Sequence, residues 1–213
     1  KFSPKTIQDL ESYDKPLIFV DSNTLYLGHS CVTTDLEDSV ITALEHFLEH
    51  HHKEIGLLVG QEETADATPL QMDPRQRVFQ QFLTEKGLYE ERFVAVGQFS
   101  TESGYQMMEQ LIQALGDDLP TAFFMASDAI AVGALRSLQE HQIAVPDRVS
   151  LISFNDTSIA KYVFPALSTV TVYTEEMGKQ AIQMLRQTFQ GSQPSVPCMV
   201  KLATKLTIRD SSR

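Results

Sequence analysis

The chain has 213 residues, 42% of them hydrophobic, and its 17 lysines and arginines face 28 aspartates and glutamates for a formal net charge of -11. That is enough chain to bury one large core or two modest ones, and the acidic balance argues against this chain itself gripping nucleic acid, because phosphate contacts need clustered cations. No apolar run approaches the roughly 20 residues that span a bilayer and no signal-like segment opens the chain, while two cysteines, Cys31 and Cys198, give no disulfide framework and are expected to be reduced.

The first helical pattern falls within residues 1–14, where Ser3 is placed to cap, Pro4 suits the first helical position, and Ile7 and Leu10 are apolar. Residues 17–20 read as a strand ending at Asp21, followed by a loop through Tyr26 and Gly28 and a short strand at 30–33. Residues 35–49 form an amphipathic helix with Leu36, Val40, Ala43, Leu44, Phe47 and Leu48 on one face and Glu37, Asp38 and Glu45 opposite. At its end His46 and His50 have the i, i+4 spacing that could hold a metal. No cysteine or carboxylate nearby completes a set, so a solvated helix C-terminus that favours imidazolium is the reading adopted, with no metal and no cofactor expected.

A strand at 55–59 and a polar loop at 60–74 lead to a helix at 75–86 that turns Val78, Phe79, Phe82 and Leu83 inward. A strand at 93–96 exits through Gly97, Gln98 and Phe99, and a helix at 104–115 precedes the apolar strand 122–125. That strand ends on Ser127 and Asp128 ahead of a helix at 129–141, and the next, 149–154, ends on Asn155 and Asp156. Residues 158–164 are short and mixed, 168–173 read as a crossing strand, 175–189 as a helix capped by Thr174, and 196–208 as a return to sheet. Strands alternating with helices across short connections predict an α/β fold with parallel sheets covered on both faces, and polar groups at the carboxyl ends of such strands lie where ligands bind. On the residues alone, Ser127 and Asp128 fit a helix cap as well as a ligand contact. Arg75 likewise fits a surface position at a helix start, and Phe99 a place in the core.

The blocks FFMASDAIAVGALRSL (123–138), IAVPDRVSLISFNDTSIAKYVFPALSTV (143–170), YTEEMGKQAIQML (173–185) and KLTIRDSS (205–212) resemble, in order and spacing, the effector-binding region of the lactose-repressor (LacI/GalR) family of bacterial transcription regulators. The resemblance runs from about Pro16 to the C-terminus, and galactose- and maltose-type sugar repressors are nearest. It implies a two-lobed periplasmic-binding-protein-like fold, with residues 1–33 and 172–191 as an incomplete N-terminal lobe and 34–171 with 192–213 as the C-terminal lobe. The helix-turn-helix DNA-binding head would be absent from this chain. The implied function is the ligand-sensing core of a cytoplasmic regulator of sugar utilisation, a repressor, that binds a small galactose-like or other sugar between its lobes and controls operator DNA through the missing head.

The resemblance makes Asp21, Arg75, Phe99, Ser127, Asp128 and Asn155 ligand-binding residues. Arginine's fork of donors suits vicinal hydroxyls, and an aromatic ring suits an apolar sugar face. Ser127 stands where the family commonly has Asn, and Asn155 where it commonly has Asp. On this reading Arg75→Ala abolishes sugar binding without unfolding, and Asp128→Asn keeps its cap while losing affinity. The resemblance also implies a homodimer through Leu135, Ile159, Tyr162 and Phe164, with Leu135→Asp as its test. The alternative is a periplasmic-type sugar-binding protein of a transporter. An enzyme is not expected, for the chain carries no G-x-S-x-G, no Walker motif and no G-x-G-x-x-G.

Overall fold

A computed structural model describes residues 2–62, 72–192 and 194–213. Of the polar loop expected at 60–74, residues 63–71 lie outside the described residues. The described chain divides into two compact units, one of residues 2–35 and 173–204 and the other of 36–62, 72–172 and 205–213.

The smaller unit holds α1 (Pro4–Glu11), β1 (Ile18–Val20), β2 (Ser30–Thr34), α7 (Thr174–Phe189) and β8 (Met199–Leu202). Its three strands run parallel in the order β1-β2-β8. Ser3 caps α1 as expected, its side chain accepting from the Thr6 amide, and Pro4 follows at the first helical position. Ile7, Phe19 and Cys31 form the core of this sheet, and α7 buries Met177, Ala181 and Met184. Two expectations are corrected here. Thr174 is the first residue of α7 and Tyr173 takes the cap position without a side-chain bond. Residues 192–213 do not all return to the second lobe, because β8 pairs with β2, Cys31 opposite Met199.

The larger unit is built on a sheet ordered β4-β3-β5-β6-β7-β9, from β3 (Ile55–Gly60), β4 (Val94–Gly97), β5 (Ala122–Met125), β6 (Ser150–Asn155), β7 (Ser168–Thr171) and β9 (Lys205–Thr207). All pairings are parallel except β7 with β9, so one antiparallel edge strand departs from the all-parallel expectation. Alternation along the strands sorts the core into two layers. Leu57, Val59, Phe124, Ile152 and Phe154 face α2 (Leu36–Glu49) and α3 (Pro74–Glu85), whereas Leu58, Phe123, Met125 and Leu151 face α4 (Thr101–Leu115) and α5 (Asp128–Glu140). The last helix of the unit, α6 (Ser158–Tyr162), is a short turn behind β6.

α4 and α5 pack closely because two glycines remove the Cβ atoms in the way. A Cβ on Gly133 would stand 1.9 Å from the Thr101 carbonyl oxygen, and one on Gly104 would stand 2.2 Å from that of Ile130. The C-terminal segment is stitched into the sheet by hydroxyls: Ser211 Oγ donates to the Leu151 carbonyl at 2.8 Å and accepts from the Ser168 amide at 2.8 Å.

Candidate functional site

The strands of the larger sheet end on the residues singled out in the sequence, and Arg75 is the centre of what they build. Asp73 caps α3 and Pro74 follows it, an arrangement that fixes the start of the helix. The same Asp73 carboxylate grips Arg75 side-on: Nε donates to Oδ1 at 2.8 Å and Nη2 to Oδ2 at 2.7 Å. Nη1 donates to the Ala126 carbonyl at 2.7 Å, which ties the guanidinium to the end of β5. Its carbon lies 4.8 Å from the centre of the Phe99 ring and 5.4 Å from that of Phe154. Both partners are buried, with 11% of the Arg75 side chain and 3% of the Asp73 side chain accessible. Arg75 is thus no surface arginine. Among the described residues three of its five N–H hydrogens are taken, which leaves one on each terminal nitrogen.

Phe99 reaches this place because β3 ends in a glycine, as a Cβ on Gly60 would lie 2.4 Å from its ring. Ser127 caps α5, its Oγ accepting from the Ile130 amide at 3.3 Å, and is 6% exposed. Asn155 ends β6, half-buried, and with Asp156 adopts positive φ, 109° and 58°. Those values favour Asn and Asp over other side chains. Arg75, Phe99, Ser127 and Asn155 are therefore brought together at the strand ends of one unit. Asp21 lies in the smaller unit, at the end of β1, with φ 57° and its amide donating to the Val32 carbonyl at 2.9 Å.

Asp128 differs from its expected role. It is 1% exposed, and both carboxylate oxygens are taken by the chain. Oδ1 accepts from Ser153 Oγ at 2.5 Å and Thr169 Oγ1 at 3.0 Å, and Oδ2 from the Thr157 amide at 2.6 Å and Thr157 Oγ1 at 2.8 Å. The helix cap is Ser127, so Asp128 neither caps α5 nor offers a ligand an unoccupied oxygen. It fastens β6, β7 and the turn that carries Asn155. Asp156 does similar work, accepting from Arg209 Nη2 at 2.7 Å and Thr171 Oγ1 at 2.9 Å. Sequence reasoning missed Asp73, Phe154 and these hydroxyls. Asp73 had a signal, an Asp-Pro pair opening a helix; the hydroxyls had none, because only the register of β6 against β7 gathers them.

Among the described residues no group of three or more His, Cys, Asp or Glu could hold a metal. The His46 and His50 rings are tilted 38° to each other with centroids 4.2 Å apart, and His50 Nδ1 is engaged by the His46 carbonyl at 2.8 Å. Burial, with the neighbouring charge of His50, lowers the His46 pKa below 6.5. A folded-state pKa below the unfolded one means the unfolded chain binds the proton more readily, so stability is lost as pH falls below about 6.5. Urea midpoints at pH 7.5 and 5.5 are expected to fall further for the parent than for His46→Gln. An equal fall in both would show that His46 does not carry the effect.

The model of the periplasmic binding protein-like domain matches residues 44–212. The chain belongs to that family. It is similar to the HTH-type transcriptional regulator GalR of Streptococcus thermophilus, 49% identical over 213 residues, 100% of this chain and 64% of the relative. GalR of Lacticaseibacillus casei is 35% identical over 212 residues, again 100% of this chain and 64% of the relative. The chain thus spans 64% of the length of these relatives. A solved structure of the transcriptional regulator CelR in complex with cellobiose shares the fold, with a TM-score of 0.84 at 24% identity over 99% of this chain and 63% of the other. The resemblance to lactose-repressor-type regulators holds, and so does the α/β, periplasmic-binding-protein-like fold. Among the described residues no helix is long and apolar enough to cross a membrane.

Proposed function

We propose that this chain is the effector-sensing core of a sugar-utilisation regulator, a cytoplasmic repressor rather than an enzyme, whose ligand is a small sugar and whose operator contacts are made by a helix-turn-helix head outside this chain. The observation that carries the reading is Arg75, a buried guanidinium held by a carboxylate, a carbonyl and two rings with two N–H groups unspent. Such a group is pre-ordered to donate to two neighbouring hydroxyls, while Phe99 supplies a face for the apolar side of a sugar ring. Ser127 and Asn155 add hydroxyl and amide groups, and Asp128 positions the turn that bears Asn155. The relatives named as transcriptional regulators support the regulatory half of the reading.

A thermal-shift screen of galactose, lactose, cellobiose and maltose tests it. A ligand at 100 times its Kd raises stability by about 2.7 kcal/mol, so at least one sugar is expected to shift the midpoint by several degrees. No shift with any sugar overturns the assignment of the site.

The homodimer remains part of the proposal with a changed contact set. Leu135 is 3% exposed and belongs to the core beneath α5, so it is withdrawn from the interface, and Leu135→Asp is expected to unfold the chain. Ile159, Tyr162 and Phe164 are 43%, 84% and 85% exposed, and Gln139 Nε2 anchors the Phe164 carbonyl at 2.6 Å. Tyr162→Asp with Phe164→Asp is expected to weaken self-association at least about tenfold, since burying unpaired charge in an apolar contact is strongly unfavourable. Sedimentation equilibrium of the full-length protein reads this directly, and a double variant as dimeric as the parent would place the interface elsewhere.

A further inference from the structure

The mouth of the strand-end site is already supplied with anions, all of them its own. α3 opens on Asp73, whose Oδ1 accepts the Arg75 amide at 2.8 Å. α5 carries Asp128 in its first turn, and the Thr157 amide that begins α6 donates to the same carboxylate at 2.6 Å. α4 carries Glu102 in its first turn. Helix starts are where phosphate groups ordinarily bind, through free amides and the positive end of the dipole. Here the start of α3 is filled by the Asp73 carboxylate, while α4 and α5 start on the hydroxyl caps Ser100 and Ser127 with an acidic residue in the first turn of each. Two guanidinium groups are likewise matched by carboxylates, Arg75 by Asp73 and Arg209 by Asp156, each at 2.7 Å.

A sugar phosphate entering this site would have to compete with Asp73 for a bidentate, charge-assisted contact, and its dianion would meet Asp73 and Asp128 without an uncompensated buried cation to offset its lost hydration. An uncharged sugar needs only acceptors for two N–H groups, and these remain.

We propose that Asp73 sets the specificity of this site for uncharged sugars over sugar phosphates, by neutralising Arg75 and holding its guanidinium so that only two N–H groups face the ligand. The proposal rests on the sugar-binding reading above and names the class of sugar. Asp73 is a positioning residue, acting through Arg75.

Calorimetric titration of the parent with galactose, lactose, galactose 6-phosphate and lactose 6-phosphate, and of Asp73→Asn with the same four, tests it. Asn retains the helix cap. In the parent a free sugar is expected to bind at least about tenfold more tightly than its 6-phosphate, and in Asp73→Asn that ratio is expected to shrink about tenfold or invert, since a freed charge favours the anion. A merely structural Asp73 would lower all affinities together and leave the ratio unchanged, and that result overturns the proposal. A parent that prefers a 6-phosphate overturns it too, while leaving the sugar-binding reading in place. Binding of none of the four overturns the proposal, and the thermal-shift screen above then decides the sugar-binding reading by itself. Should Asp73→Asn fail to fold, Asp73→Ser, which also caps the helix and carries no charge, is titrated with the same four and judged by the same ratio.

Discussion

Arg75→Ala is expected to abolish sugar binding and also to destabilise the larger unit by about 3–5 kcal/mol, the usual consequence of removing one partner of a buried ion pair. The variant would leave the Asp73 carboxylate, only 3% exposed, without its counter-charge and would strip the Ala126 carbonyl of its donor. Sequence reading placed Arg75 outside the apolar face and expected a stable variant, and the burial of the pair reverses that half of the expectation. Binding and stability can be separated by replacing both partners. Asp73→Asn with Arg75→Met removes both charges, keeps the cap and fills the space beside Phe99 and Phe154, so it is expected to regain most of the stability and none of the affinity. Urea unfolding and calorimetric titration read the two effects. Parental stability in Arg75→Ala would mean that the pair contributes nothing net, and parental affinity would remove Arg75 from the site.

Asp128→Ala is the second large effect, expected at about 3–4 kcal/mol because several donors to a buried carboxylate are stranded together. Ser153, Thr169 and Thr157 supply those donors, and around them water has little access, since Ser153 and Thr169 are fully buried. Asp128→Asn falls between, at about 1–2 kcal/mol. The two hydroxyls facing Oδ1 can turn to accept from the amide, while the Thr157 amide can only donate and needs the oxygen to face it. Affinity is expected to fall in both variants through the turn that carries Asn155, without any contact between Asp128 and the sugar. Thermal unfolding of the two variants side by side checks the order: an alanine variant as stable as the asparagine one would show that the hydroxyls find other partners.

The sequence by itself determined the elements and where the chemistry would stand. Alternating apolar strands and amphipathic helices call for a parallel sheet buried on both faces, and Ser3-Pro4 marks a helix start because the cap and the first-turn proline satisfy purely local demands. The motif blocks around Ser127 and Asn155 identified the family and put polar residues at strand ends. What only the tertiary structure decided is which of those polar residues are spent within the protein. Asp128 and Ser127 are adjacent and similar in sequence, yet Ser127 caps the helix while Asp128 is consumed by residues 25 to 41 positions away. Arg75 and Asp73 lie two residues apart, but their burial depends on Phe99, Ala126 and Phe154 arriving from three other strands' ends. Leu135 looked like surplus surface because helical spacing shows one face at a time, and α5 is buried on more than one. Local patterns fix an element's existence through short-range hydrogen bonds and periodicity. Whether a side chain is a cap, a counter-ion or a ligand contact depends on long-range register, which no spacing along the chain encodes.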